Sequence, residues 1–504
     1  MRLPTSAGPP DGQVGPGGQS GVRNRDNGGV TRIAIIGGGP AGYEAATVAA
    51  ALGAEVTLIE SDGAGGACVL YDCVPSKTLI ATSERVTAFR DAPKLGVCSS
   101  SVSDVEVKLD VVNARVRRLA ESQSADIRDR LVRDGVTVLA GRGRFAETQQ
   151  GRKYAVEVTD AEDSLLQTVD ADVVLLSTGG TPRVLAGSEP DGERILSWRD
   201  VYDLTELPAH LIVIGSGVTG AEFASAYSEM GVPVTLISSR EKVLPGEDPE
   251  AADVIEKVFT EHGGTLMKQA RAESVKRVAG DGPAGGDSVE VRLVDGQTVT
   301  GSHVLMCVGS VPNTTGLGLE HVGLATDAQG FIEVDRVSRT AVTGIYAAGD
   351  CTGVLLLASV AAMQGRIAMW HCLGEAVQPL RLKTVAANVF THPEIATVGI
   401  GHAAVTSGTV PARTVMLPLA RNARAKMQGL TDGFVKLYCR PATGVVMGGS
   451  VVAPQASELI LQITTAVQLG LTVQELAATF AVYPSLSGSI TEAARQLTQH
   501  DDLD

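Results

Sequence analysis

What this sequence lacks narrows it first. No apolar run reaches the roughly 18–20 residues of a membrane-spanning helix, and the stretch from Met1 to Gly29 lacks the basic-then-apolar order of a secretory signal. No integral membrane association is expected, and the expected location is cytoplasmic. Positive charge is also short: 42 Lys and Arg face 57 Asp and Glu, and the resulting net charge of −15 repels phosphate backbones and anionic surfaces. Small molecules are therefore better partners than nucleic acid. Cysteine is scarce, with seven in 504 residues, too few for a disulfide framework. Cys98, Cys307, Cys351, Cys372 and Cys439 stand apart and read as packed core residues, which leaves Cys68 and Cys73 as the one close pair.

What is present belongs to a globular chain, 44% hydrophobic and 20% charged, and long enough for about three domains. The first 29 residues are rich in Gly, Pro, Gln, Ser and Asn and read as a disordered extension. Structure is expected to begin at Thr31, with a short apolar strand through Ile36, a glycine turn, a helix from Ala41 to Leu52 and a second strand from Glu55 to Ile59. That βαβ order recurs in mid-chain: strand Leu211 to Ile214, glycine turn, helix to about Met230, strand Val234 to Ile237. The chain carries two copies of one ligand-binding device. Two further apolar strands end in small-residue turns, from Val173 to Gly180 and from Val304 to Gly309. From about Lys383 the texture changes to strand-like segments and then to helical periodicity over Ala456 to Leu469 and Val473 to Phe480, an α+β pattern.

The first glycine turn, Gly37-Gly38-Gly39-Pro40-Ala41-Gly42, is a GxGxxG between strand and helix, where that motif has meaning. Gly37 permits the tight turn, Gly39 lets the backbone approach a pyrophosphate, and Gly42 allows close helix packing. Glu60, at the end of the next strand, is placed to accept from ribose hydroxyls. The second turn, Gly215-Ser216-Gly217-Val218-Thr219-Gly220, has no such acid; Ser238-Ser239-Arg240 occupies the place, and Ser238 and Arg240 suit a 2′-phosphate. Cys68 and Cys73 are five residues apart, about 7.5 Å along a regular helix, so either the helix is distorted or the pair is unbridged.

Cys-x4-Cys followed by Pro75-Ser76-Lys77, shortly after a GxGxxG, resembles the pyridine nucleotide-disulfide oxidoreductases, the family of lipoamide dehydrogenase, glutathione reductase and mercuric reductase. The resemblance runs from residue 31 to about 496 and includes Ser177-Thr178-Gly179-Gly180, Thr343 to Asp350, Thr391-His392-Pro393-Glu394 and Asn422-Ala423-Arg424-Ala425. It implies an α/β fold of two Rossmann-like dinucleotide-binding domains and a C-terminal α+β dimerisation domain. The implied divisions are 1–29 (extension), 30–182 and 309–382 (FAD), 183–308 (NAD(P)H) and 383–504 (dimerisation). By the same resemblance Gly143 lies near the adenine, Asp350 and Ala358 lie along the ribityl and phosphate portion, and Gly179 and Gly309 line the two nucleotide sites. Lys77 is implied beside flavin N5 with Glu222 as its partner, Cys73 as the thiol against the flavin and Cys68 as the outer thiol. A cation at N5 favours the negative charge of a reduced flavin.

One departure bears on the substrate. Disulfide reductases of this family carry His-x-His-Pro-Thr, followed closely by Glu, in the C-terminal domain; the second histidine, from the partner subunit, is the base for the outer thiol. Here the stretch reads Ala481-Val482-Tyr483-Pro484-Ser485-Leu486-Ser487-Gly488, with Tyr483 in the base position and Gly488 in place of the acid. Disulfide exchange needs a thiolate and a proton source, and a tyrosine of pKa about 10 serves both poorly. A quinone needs neither. The sequence thus resembles the quinone reductase branch of the family and is expected to be a homodimeric NAD(P)H:quinone oxidoreductase with FAD. A disulfide reductase such as lipoamide dehydrogenase, and a non-catalytic NAD(P)H-binding flavoprotein, are the alternatives.

Overall fold

A computed structural model describes residues 30–97, 106–147, 153–280, 282 and 286–498. Cys98 and the N-terminal extension lie outside these residues. The first sheet is wholly parallel, in the order Ile345–Ala347, Val173–Leu176, Arg32–Ile36, Glu55–Glu60, Thr137–Ala140. Its two innermost strands, Val173–Leu176 and Arg32–Ile36, are almost entirely buried because helices cover one face and the antiparallel sheet of Arg142–Phe145, Tyr154–Thr159 and Leu165–Ala171 covers the other. Pro40–Ala51 opens with proline, whose fixed φ suits the first helical turn, and buries a face of Ala and Gly. That small face admits the helix Ala358–Cys372 so closely that a Cβ on Gly365 would stand 2.1 Å from the carbonyl oxygen of Ala41.

The second sheet repeats the plan, in the order Thr265–Met267, Val234–Ile237, Leu211–Ile214, His303–Met306, Ile195–Ser197. The helices Val218–Glu229 and Pro249–Glu261 accompany it, and the latter is capped by the Asp248 side chain. A two-stranded ribbon, Gly180–Pro182 against Ser310–Pro312, ties the exits of the two sheets together. The last sheet is antiparallel, in the order Ala386–Val389, Glu394–Gly399, Val446–Ala453, Phe434–Cys439, Arg413–Pro418. Ala456–Leu469 and Gly488–Thr498 bury their apolar faces in its core. Among the described residues no helix is long and apolar enough to cross a membrane.

Most expected elements form within a residue or two of their sequence signals. The helix expected to reach Phe480 stops at Ala478, and Phe480 stands fully exposed. Cys307, Cys351 and Cys439 are buried, whereas Cys372 is only partly so.

Candidate active site

Both glycine turns work by the same close approaches. A Cβ on Gly37 would lie 2.3 Å from the carbonyl oxygen of Ser177, and one on Gly42 would lie 1.9 Å from that of Gly37. At Gly215 and Gly220 the corresponding gaps are 2.2 Å, to Cys307, and 1.8 Å, to Gly215. These four glycines are required by protein packing. Gly39 and Gly217 differ: a Cβ there meets nothing within 4 Å, so the space beside each is open to a ligand's phosphates at a helix N-terminus.

The first turn opens on a cleft of about 500 Å³ whose lining brings together Gly37, Gly39, Glu60 and Gly143 with Gly179, Asp350, Ala358, Cys68 and Cys73. Glu60 closes the ribose end. Its carboxylate accepts from the amides of Gly38 (2.5 Å) and Asp62 (2.8 Å), which fix its oxygens at the cleft wall. Burial, with Asp72 nearby, pushes the Asp350 carboxyl up to about 6.

The cysteine segment resolves its spacing by breaking the helix. Gly66–Leu70 ends at Tyr71, and a new helix, Cys73–Asp91, begins after Asp72. The two cysteines are free thiols brought within hydrogen-bonding reach. That bond and burial push the Cys73 thiol up, and Asp72 adds to the effect. One turn on, Lys77 Nζ donates to Glu222 Oε2 at 2.8 Å, and Glu222 Oε1 accepts from the amide of Phe390 at 2.9 Å. One buried carboxylate thus joins the cysteine helix, the second nucleotide module and the C-terminal domain. Burial opposes the Lys77 ammonium, but Glu222 and its neighbours outweigh it and hold the pKa above the ordinary lysine range. The Lys77 ammonium also sits 4.9 Å from the centre of the Phe390 ring.

Two expected residues stand away from this cluster. Tyr483 is 86% exposed and precedes a cis proline bond on a surface shared with Phe480 and Val482. Ser238, expected at a 2′-phosphate, is turned inward instead: it is fully buried, its hydroxyl is 2.7 Å from that of Ser216, and it also meets the Arg240 backbone. The strand end needs that hydroxyl to pin the glycine turn, so only Ser239 and Arg240 face outward. Gly309 has φ +96° with open space beside it, at the exit of the second sheet.

Sequence reasoning missed Asp72, which stands at the N-cap position yet makes no capping bond and lines the cleft beside the thiols. It also missed Phe390, whose contribution is a backbone amide and leaves no signal in residue type. Arg199 lines the same cleft and stacks on the Tyr71 ring at 4.6 Å.

Two dinucleotide turns flanking a thiol pair and a buried ammonium–carboxylate pair define a nucleotide-dependent oxidoreductase. Comparison with known proteins gives the family: the model for pyridine nucleotide-disulphide oxidoreductase matches residues 31–365, and that for the family's dimerisation domain matches residues 385–494. The chain belongs to this family, whose cofactors are FAD and NAD(P)H. An NAD(P)H dehydrogenase (quinone) from Mycobacterium tuberculosis is 58% identical over 479 residues, covering 94% of this chain and 95% of the relative. A dihydrolipoyl dehydrogenase from Chlorobaculum tepidum is 33% identical over 465 residues, covering 92% of this chain and 96% of the relative. The crystal structure of LpdA from M. tuberculosis matches with a TM-score of 0.87 and 58% identity, covering 93% of this chain and 100% of that one. The HOCl-induced flavoprotein disulfide reductase RclA from Escherichia coli, at 23% identity and a TM-score of 0.79, covering 92% of this chain and 99% of that one, shares the fold.

The residues fit both cofactors. Gly39 and Gly217 leave the two phosphate cradles open, and only the first has an acid at its ribose end. FAD therefore suits the Gly37–Glu60 cleft and NAD(P)H the Gly215–Arg240 turn.

Proposed function

We propose that this protein is an FAD-dependent NAD(P)H:quinone oxidoreductase acting as a homodimer. The observation that carries this reading is a missing imidazole. Among the described residues no histidine lines the cleft that holds Cys68 and Cys73, and the C-terminal segment that a partner subunit would bring to it carries Tyr483 in the base position and Gly488 in place of the acid. The described histidines are committed elsewhere: His210 and His303 lie at the far end of the second sheet, His262 and His392 stack on each other, His371 pairs with Tyr346, His402 with Lys436, and His321 sits beside Glu320. The Tyr483 segment supplies none either.

Bound FAD supplies the two-electron carrier between the nicotinamide and the acceptor. Lys77, one turn from Cys73, keeps a positive charge that favours added electrons, and Glu222 holds that charge in place. The helix N-termini beside Gly39 and Gly217 bind and orient the phosphates. An acceptor without sulfur asks nothing of the thiols. The M. tuberculosis relative, named for quinone, supports the same acceptor. Retention of Cys68 favours one second reading, that of a dihydrolipoamide dehydrogenase.

Steady-state turnover separates the two readings. With NADPH and a soluble quinone, turnover should far exceed that with NAD⁺ and dihydrolipoamide, and Cys68→Ser should retain it. Comparable rates with dihydrolipoamide, or loss of quinone reduction in Cys68→Ser, would overturn the proposal.

A further inference from the structure

The thiol pair stands in an unusual electrostatic setting, set by Asp72. This residue occupies the break between two helices, immediately before Cys73, in the cleft that both cysteines line. A carboxylate at a helix N-cap normally accepts from the first turn's amides, but Asp72 makes no such bond. The groups around it come from its own helix and from other elements packed against it. Lys77, one turn along its own helix, is already paired with Glu222 of the Val218–Glu229 helix at 2.8 Å. Asp350, from the turn after the strand Ile345–Ala347, lines the same cleft, and the phenol of Tyr202 faces Asp72 from the 200–203 turn. Arg199, which lines the cleft, is spent on the rings of Tyr71 and Trp198 at 4.6 and 5.5 Å. Asp72 and Glu222 thus share one ammonium, and Glu222 already balances it. A thiolate formed at Cys73 therefore meets the Asp72 carboxylate beside an ammonium that Glu222 already neutralises.

We propose that Asp72 is a specificity-determining residue that keeps the Cys68–Cys73 pair out of the electron path by withholding the thiolate that disulfide exchange requires. The inference rests on the reading that the acceptor takes its electrons without passing through sulfur. It explains how a chain can retain both cysteines and still not work as a disulfide reductase. Exchange proceeds only through the thiolate, and its rate follows the thiolate fraction. Burial pushes the Asp72 carboxyl itself above its usual range while Lys77 pulls it back. The hydrogen bond with Cys68 and burial oppose ionisation of Cys73 most, Asp72 adds its charge to them, and Lys77 pulls the other way.

The test titrates the pair in the holoenzyme after reduction with dithiothreitol and removal of excess reagent. The first thiolate is followed by its ultraviolet absorbance and by the initial rate of alkylation with iodoacetamide from pH 6 to 10. Asp72→Asn, which keeps the shape and removes the charge, should lower the midpoint by about one unit and speed alkylation near neutral pH about tenfold. Asp72→Glu, which keeps the charge, should hold the wild-type midpoint. An unchanged profile in Asp72→Asn, or an equal shift in Asp72→Glu, overturns the role of Asp72 whatever the acceptor proves to be. Failure of the wild-type holoenzyme to reduce quinones overturns the functional reading instead, so the two failures are told apart.

Discussion

The two nucleotide modules share one plan at their glycine turns and part company at both ends of the sheet. At the ligand end, Gly42 and Gly220 approach the carbonyls of Gly37 and Gly215 almost identically, at 1.9 and 1.8 Å for an added Cβ. The next strand then ends in Glu60, held by two amides at the cleft wall, in the first module and in the inward Ser238 in the second. At the far end, the first module is tied by an ion pair, Arg32 to Asp172, at 2.9 Å. The second is tied by neutral groups: the Ser302 hydroxyl accepts from the His210 amide at 3.0 Å and meets His303 Nδ1 at 3.0 Å. The glycines therefore specify only that a dinucleotide binds. Which dinucleotide, and how the sheet answers to pH, is written in the residues that differ.

The two modules depend on each other most where one completes the other. Glu222 belongs to the second module's helix but is buried against Lys77 of the first, so Lys77→Met leaves a carboxylate in the interior with only the Phe390 amide as partner. NAD(P)H-driven turnover should fall by about 10²–10³, the usual effect of removing one preorganised charge. Because the Gly39 cradle is untouched, FAD should stay bound. Stopped-flow reduction and the flavin content of the purified variant check both expectations, and near-normal reduction would remove Lys77 from the mechanism.

Acid should separate the modules by a smaller amount. Burial and the neighbouring Arg194 hold His303 down at about 4, and Arg194 Nη1, 3.2 Å from Nε2, keeps the ring neutral. A histidine whose folded pKa lies below its unfolded value of about 6.5 leaves the fold at full stability above pH 6.5 and weakens it as pH falls toward 4. The loss is about 2–3 kcal/mol. In the first module the Asp172 carboxyl is held below its ordinary range, chiefly by its hydrogen bond to Arg32. Its contribution therefore survives until pH falls below about 4. Hydrogen exchange between pH 7 and 4.5 should show Leu211–Ile214 and His303–Met306 loosening while Arg32–Ile36 stays protected. His303→Asn should flatten the difference; simultaneous loosening of both sheets in the wild type contradicts the assignment.

How much of this was legible in the sequence follows from the range of each interaction. The βαβ units could be read because apolar period, glycine spacing and helix start all lie within about thirty residues. The Cys68-to-Lys77 segment is equally local. The return of Ile345–Ala347 to the first sheet was implied by resemblance alone, since its neighbour, Val173–Leu176, is far away in the chain. Ser238 was misread because the same hydroxyl that suits a phosphate also suits Ser216, and only the packed loop decides between them. Asp72 was overlooked because an acid before a helix reads as an ordinary cap; its failure to cap is visible only in three dimensions.

The modules differ more subtly at their ribose ends. With Ser238 committed to Ser216, a 2′-phosphate in the second module would have the exposed Arg240 as its charged partner at the strand end, whereas the Glu60 carboxylate of the first module would repel one. We expect Arg240→Ala to raise the KM for NADPH about tenfold, the lower range for a charge-assisted bond at an exposed site, and to leave the KM for NADH unchanged. Ser238→Ala, by contrast, should lower the melting temperature and shift the two KM values together, because it loosens the turn that both nucleotides use. Equal effects of Arg240→Ala on both nucleotides would place the phosphate elsewhere and leave the second module without a ribose-end preference.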